Sequence, residues 1–197
     1  MNEQKKLWTG QFGDEYLGRN QIAPSIRTNF FGDILTKTQL STNSKILEVG
    51  CSRGHNLIAL KKCGMRILIG IDVNAMAVTE ARQGGLLVLH GDHLLAPLFG
   101  AGAFDLVFTA GVLIHIGPDE ITHAMQMISM ATRKYVLSIE YEDSTEVEVT
   151  YRGQSNALWR RPYGEMYGDL GFSVVDSGNL TPEDGFDNCK FWLMERA

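Results

Sequence analysis

The sequence predicts an α/β domain built on an open, mainly parallel sheet of about seven strands with helices on both faces. Three observations lead there. Short β-branched or leucine-rich runs alternate with helix-like stretches, the first run ends in a glycine-containing turn, and the second ends in an acid. A chain of 197 residues fits one such domain and can bury a core without disulfides or a structural metal.

The first strand is expected at residues 45–49, followed by the turn Gly50-Cys51-Ser52-Arg53-Gly54 and a helix over 55–63. A second strand over 66–71 ends at Asp72, and Asn74 is placed to cap a helix over 75–82. Residues 86–89 read as a short third strand. Residues 104–109 form a nearly continuous apolar run, as in a strand covered on both faces. Pro118 suits the first turn of a helix reaching Ala131, and a fifth strand follows over 135–141. A helix over 164–170 and strands over 172–176 and 190–195 complete the series. Residues 1–43 precede the alternation. There Trp8, Phe12 and Tyr16 recur at helical spacing, which predicts a helical lid segment over 1–43 ahead of a single domain over 44–197.

Composition narrows the function. A net charge of −5 argues against broad attraction to nucleic acid or an anionic membrane, since phosphate binding needs a contiguous Lys/Arg surplus. Three cysteines without CxxC spacing suggest free thiols in a reducing compartment, hence the cytoplasm, and no metal site. The N-terminus lacks the apolar stretch of a signal peptide, and the longest apolar run is too short to span a bilayer.

Open parallel sheets bind ligands beyond the carboxyl ends of their strands, most often at the first strand-to-helix turn. Glycines there let the backbone approach a ligand closely, and the following helix N-terminus presents N–H groups to an anionic end. Asp72 lies 24 residues after Glu48, where an acid can accept from both hydroxyls of a ribose. Gly91-Asp92-His93 follows the third strand and is positioned to flank an adenine.

The series ILEVGCSRG, IGIDVN, HGDHL and FDLVFTAGVLIHI resembles the class I S-adenosylmethionine-dependent methyltransferases over residues 44–197. The blocks GQFGDEYLGRN, GVLIHIGPDE, IEYEDSTEVEVTYRG and LWRRPYGE are similar to the smaller family of pseudaminic acid biosynthesis-associated methylases. The resemblance implies a Rossmann-like methyltransferase sheet with S-adenosylmethionine as cofactor. It implies that Glu48, Gly50, Ser52 and Gly54, with Cys51 and Asn56, cradle the methionine half, Asp72, Val73 and Asn74 the ribose, and Gly91, Asp92 and His93 the adenine, with Ala110 and Gly111 completing the site. The larger class prefers glycine where Ser52 stands, so the turn here is more restricted and carries an extra hydroxyl.

Gly50-x-Ser52-x-Gly54 also fits the nucleophile elbow of α/β-hydrolases, but only 49 residues precede it and no histidine follows His123. A nicotinamide-binding fingerprint needs a third glycine that is missing. A catalytically silent domain that senses the cofactor or scaffolds partners is a further alternative, because fold does not guarantee activity.

Methyl transfer needs alignment and desolvation, with a base only for amine or hydroxyl acceptors. His115 after the fourth strand and Glu140 at the end of the fifth are the candidate catalytic groups, with a histidine that merely hydrogen-bonds backbone as the alternative for His115. Residues 140–148 hold five acids in nine positions, whereas 149–164 hold Arg152, Arg160 and Arg161 and no acid. These arginines with Tyr141 and Tyr151 suit a small anionic acceptor, since guanidinium forks match planar anions; a solvated charged loop is the alternative. Tyr16 and Arg19 on the lid are expected to reach the cofactor's carboxylate.

Overall fold

The computed structural model describes residues 3–20 and 22–197. Two short helices, α1 (Glu3–Thr9) and α2 (Gln11–Arg19), precede α3 (Thr28–Thr36). The alternation then runs β1 (Lys45–Val49), α4 (His55–Lys62), β2 (Ile67–Asp72), α5 (Ala75–Gln83), β3 (Leu87–His90), β4 (Phe104–Ala110), α6 (Pro118–Ala131) and β5 (Thr132–Glu140). A hairpin, β6 (Val147–Glu148) and β7 (Trp159–Arg160), comes before α7 (Tyr163–Asp169), and β8 (Phe172–Leu180) and β9 (Cys189–Arg196) end the chain. Single 3-10 segments cover His93–Phe99 and Leu113–His115.

The main sheet has the order β3-β2-β1-β4-β5-β9-β8. Its first five strands are parallel, and β9 runs antiparallel to both neighbours. Connections leave β1 toward one edge and β4 toward the other, so a crevice opens at the carboxyl ends of that central pair. Within the sheet, side chains alternate between two apolar layers. Ile46, Leu106, Phe108 and Leu137 face α3 and α4, whereas Leu47, Val107 and Val136 face α6 and α7. Helices therefore cover both faces, as the unbroken apolar run of β4 predicts.

Several expectations need correcting. Phe31 and Ile34 of α3 are fully buried with Leu57 and Leu106, so α3 belongs to the core and only α1 and α2 lie over the carboxyl ends of the strands. The N-terminal aromatic stripe spans two helices, because the backbone of Gly10 is extended between them. β8 runs four residues past its expected end. It is an edge strand with Val174 and Val175 exposed, so its hydrophobic signal fades while backbone pairing to β9 carries it on to Leu180. The β6–β7 hairpin had no sequence signal, being two residues per strand.

Candidate active site

A cavity of about 360 Å³ lies at the crevice, with α1 and α2 contributing Lys5, Trp8, Tyr16 and Arg19 to its wall. The glycine turn forms its floor. Gly50 has φ +76°, and a Cβ there would lie 2.3 Å from Val112 Cγ2, so only glycine lets the two segments approach. Ser52 occupies the same left-handed region at φ +48°. Its backbone N–H donates to Asp72 Oδ2 at 2.6 Å, while Asn74 N–H donates to Asp72 Oδ1 at 2.8 Å. The carboxylate at the end of β2 thus pins the turn after β1. Gly54 lies outside the cavity wall, contrary to expectation. Its φ of +79° turns the chain into α4, and a Cβ there would strike Leu86 Cδ1 at 2.2 Å.

Glu48 is 1% exposed and stands opposite Gly70 on β2 and Phe108 on β4. Its Oε1 accepts from Asn56 Nδ2 at 2.6 Å, and its Oε2 is buried at the cavity without a partner. Burial pushes the Glu48 carboxyl up to about 8, against the opposing pull of Asn56 and Arg27. A buried acceptor lacking a donor is costly unless a ligand supplies one. The α-ammonium of a bound amino acid group is a donor of the right charge, so this residue set fits the amino-acid end of S-adenosylmethionine. Cys51, Val73, Gly91, His93, Ala110 and Gly111 also line the cavity.

Three contacts seat α1 and α2 on the sheet. Asn74 caps α5 through Oδ1, and its Nδ2 donates to Asp14 Oδ1 at 2.8 Å and to Trp8 O at 3.2 Å. Arg53 Nη1 donates to Leu17 O at 2.6 Å. Lys5 pairs with Asp92, whose other oxygen accepts from Leu94 N–H at 3.0 Å. Two residues expected at the cofactor, Asn74 and Asp92, therefore line the cavity while also anchoring its cover. Tyr16 lines it as well, accepting from Asn20 at 2.5 Å, and Arg19 pairs loosely with Glu15 at 3.3 Å.

At the far end the His115 ring lies between Trp8 and Tyr151, with centroids 4.4 and 5.2 Å away. Its Nδ1 donates to Ala157 O at 2.6 Å, which fixes the tautomer and leaves Nε2 with the lone pair. Burial lowers its protonation to about 4, so the ring is neutral at physiological pH. Arg152 also lines the cavity, and no acid pairs with it among the described residues. It stands beside Gly153 at the tip of a tight turn, with φ +50°, a region that costs a non-glycine residue roughly 1–2 kcal/mol. Tyr141 donates to Asp187 Oδ2 at 2.6 Å, and both belong to the wall.

Two of the expected arginines lie away from the cavity, and Glu140 lines it with its oxygens already engaged. Glu140 accepts from the N–H groups of Val112, Leu113 and Ile114 at 3.0–3.4 Å, so its oxygens cap the 113–115 turn. Arg160 pairs with Asp143 at 3.6 Å and Arg161 with Glu146 at 2.6 Å, and neither lines the cavity. The segregated charge of residues 140–164 is thus largely neutralised within the hairpin region. Arg161 is 1% exposed and donates Nη1 to Leu113 O at 3.2 Å, which makes it a strut behind the site.

Other wall residues had no sequence signal. Arg27 and Asp187 lie in segments without motif spacing, and only the fold carries them to the cavity. His55, at the first position of α4, also lies on the wall. Among the described residues there is no cluster of metal-ligating side chains and no helix long and apolar enough to cross a membrane.

Residues 46–134 match the family model described as a methyltransferase domain. The tRNA U34 carboxymethyltransferase of Shewanella amazonensis is 28% identical over 136 residues, or 61% of this chain; the chain spans 40% of that relative's length. Among solved structures, magnesium protoporphyrin IX methyltransferase from Synechocystis PCC 6803 with bound S-adenosylhomocysteine superposes with a TM-score of 0.75 at 17% identity, covering 98% of each chain. The 1,6-didemethyltoxoflavin-N1-methyltransferase of Burkholderia thailandensis, solved with its substrate and S-adenosylhomocysteine, gives 0.73 at 16% identity, covering 98% of this chain and 87% of that one. Sheet order and glycine turn agree with these structures: the chain has the Rossmann-like α/β fold of the class I methyltransferases, and within it residues 46–134 are similar to a methyltransferase domain.

Proposed function

We propose that the protein transfers a methyl group from S-adenosylmethionine to a small anionic acceptor in the cytoplasm. The observation that carries this reading is one cavity that joins Glu48, Gly50 and Asp72 at one end to His115, Tyr151 and Arg152 at the other. When bound, the cofactor supplies a methyl group already activated on a sulfonium. The protein's own task is then to bind, align and exclude water.

In this reading Glu48 Oε2 receives the ammonium of the amino-acid end and Asp72 accepts from the ribose hydroxyls. Asp92 and His93 flank the adenine, and Tyr16 and Arg19 approach the carboxylate from α2. The seating of α1 and α2 on Asn74, Arg53 and Asp92 supports a role as a lid that closes out water. Arg152, strained and without an acidic partner among the described residues, supports binding of the acceptor's anion. Tyr141 and Tyr151 supply flanking surface. Neutral His115 accepts a hydrogen bond from an acceptor O–H or N–H through Nε2. A carboxylate oxygen acceptor needs no such help. The motif resemblance to pseudaminic acid-associated methylases makes sugar acids and nucleotide sugars the first acceptors to try.

Calorimetric titration with S-adenosylmethionine and S-adenosylhomocysteine, with NADH as control, tests the cofactor. Mass spectrometry of reactions with sugar acids, nucleotide sugars and simple carboxylates tests the acceptor. Micromolar binding of the two adenosyl compounds with a methylated acid product is expected. Failure of both to bind overturns the enzymatic reading, and binding without turnover on any acceptor favours a silent domain.

A further inference from the structure

Arg27 lies just before α3, far from every motif, yet it is buried at the cavity wall. Its Nη1 donates to Asn56 Oδ1 at 2.7 Å and its Nε to Gly185 O at 2.8 Å. The guanidinium packs on the Phe186 ring, 4.3 Å from the centroid. Asn56 has one amide oxygen and one amide nitrogen to distribute. With Oδ1 held by Arg27, Nδ2 must face Glu48, where it donates to Oε1 at 2.6 Å. Only Oε2 of Glu48 is then left without a partner, at the cavity. The same guanidinium holds the backbone at Gly185, two residues before Asp187, whose carboxylate accepts from Tyr141 at 2.6 Å.

We infer that Arg27 is a positioning residue: by fixing the orientation of the Asn56 amide it aims Glu48 Oε2 at the cofactor's ammonium and, through Gly185, holds the acceptor-side wall in register with it. The inference rests on the cofactor reading above for its ligand, but its first consequence concerns Glu48 alone. A cation linked to Glu48 through one amide favours the ionised carboxyl, against a desolvation that disfavours it. The other ionisable groups facing Glu48 are Asp72 from β2 and the Cys51 thiol from the glycine turn. Those facing Arg27 are Tyr16 from α2, His55 from α4, and Asp187 and Cys189 before and in β9. None of them is a second cation beside Glu48 that would replace Arg27.

The test uses the full chain with 13C-labelled glutamate, following the Glu48 carboxyl by NMR across pH in the free protein. Arg27→Gln should raise the Glu48 midpoint by about one pH unit, while Arg27→Lys, which keeps the charge, should stay near wild type. An unchanged midpoint in Arg27→Gln overturns the inference. Should that variant fail to fold, Asn56→Leu cuts the same link at Glu48 and leaves Arg27 in place; an unshifted midpoint there overturns it equally.

S-adenosylhomocysteine binding to the same proteins is the second readout. Arg27→Gln should weaken binding about tenfold at pH 7, with the ratio narrowing once the pH exceeds the raised Glu48 midpoint. A loss that is the same at every pH marks a merely structural role and also overturns the inference. Failure of wild type to bind condemns the cofactor reading instead, with Arg27 then judged by the NMR midpoint alone.

Discussion

Asp72 is the residue at which cofactor binding and fold stability are hardest to separate, and the structure predicts how they divide. Its two oxygens accept from Ser52 N–H at 2.6 Å and Asn74 N–H at 2.8 Å, so Asp72→Ala strips a partner from two backbone donors. Hydrogen bonds to a charged group contribute about 1.5–3 kcal/mol each. Part of that is offset by removing a buried carboxylate whose titration desolvation pushes upward. A net loss of about 2–4 kcal/mol follows, roughly 5–15 °C in Tm for a chain of this size. Asp72→Asn retains the shape and one acceptor, so it should lose about half as much stability. Under the proposed function it also loses the charge that would receive the ribose hydroxyls, so S-adenosylhomocysteine affinity should fall about 10–100-fold. Thermal unfolding with and without ligand, together with calorimetry, reads both effects. An unchanged Tm for Asp72→Ala refutes the pinning of the turn, and an affinity for Asp72→Asn within about twofold of wild type refutes the ribose assignment.

The two arginine positions kept apart by the fold should behave oppositely. Arg152→Ala should raise the acceptor's KM at least tenfold with little change in Tm, whereas Arg161→Met should cost about 1–3 kcal/mol of stability, since it removes the buried side-chain donor to Leu113 O and the pairing with Glu146; steady-state kinetics and thermal unfolding on both proteins test this, and reversed effects would return Arg161 to the substrate site. Stability of the free protein should fall as pH rises from 7 to 8, above the range in which His115, held near 4 against a usual 6.5, opposes the trend. Burial lifts Glu48 from its usual 4.5 to about 8 and Glu140 from 4.5 to about 7. The native state therefore keeps protons that the unfolded chain has already released. The stabilisation is complete below 4.5 and is lost through each raised value, at up to about 1.4 kcal/mol per pH unit per group. S-adenosylhomocysteine, bringing a cation to Glu48, should accordingly raise Tm more at pH 8 than at pH 6. A Tm that climbs between pH 7 and 8 in the free protein would show that the carboxyls are not desolvated as described.

The parallel core was legible from local pattern, because each strand there is buried on both faces and reads as an apolar run whose ends the turn residues mark. β1, the helix at Pro118–Ala131 and the glycine turn fall where the sequence places them, since their signals are local: a β-branched run, a proline at a first turn, glycines at positive φ. Glu48 and Asp72 were legible for the same reason, each standing at the end of a strand next to a turn. The hairpin was not, because two-residue strands carry no periodicity and their charges cancel only across the hairpin. Nor was the division among Arg152, Arg160 and Arg161, three equivalent letters until pairing with Asp143 and Glu146 takes two of them away from the cavity.

By itself the sequence determined the α/β alternation and the chemistry of the first two strand ends, because main-chain geometry and turn residues act over a few positions. Only the tertiary structure decided that α3 joins the core, that Glu140 caps a turn, and that Arg27 reaches Glu48 through Asn56. Each of those depends on which groups meet across more than twenty residues of chain, and hydrogen-bond capacity is limited: a carboxylate held by three backbone N–H groups has most of its acceptor sites taken, whatever its place in the sequence.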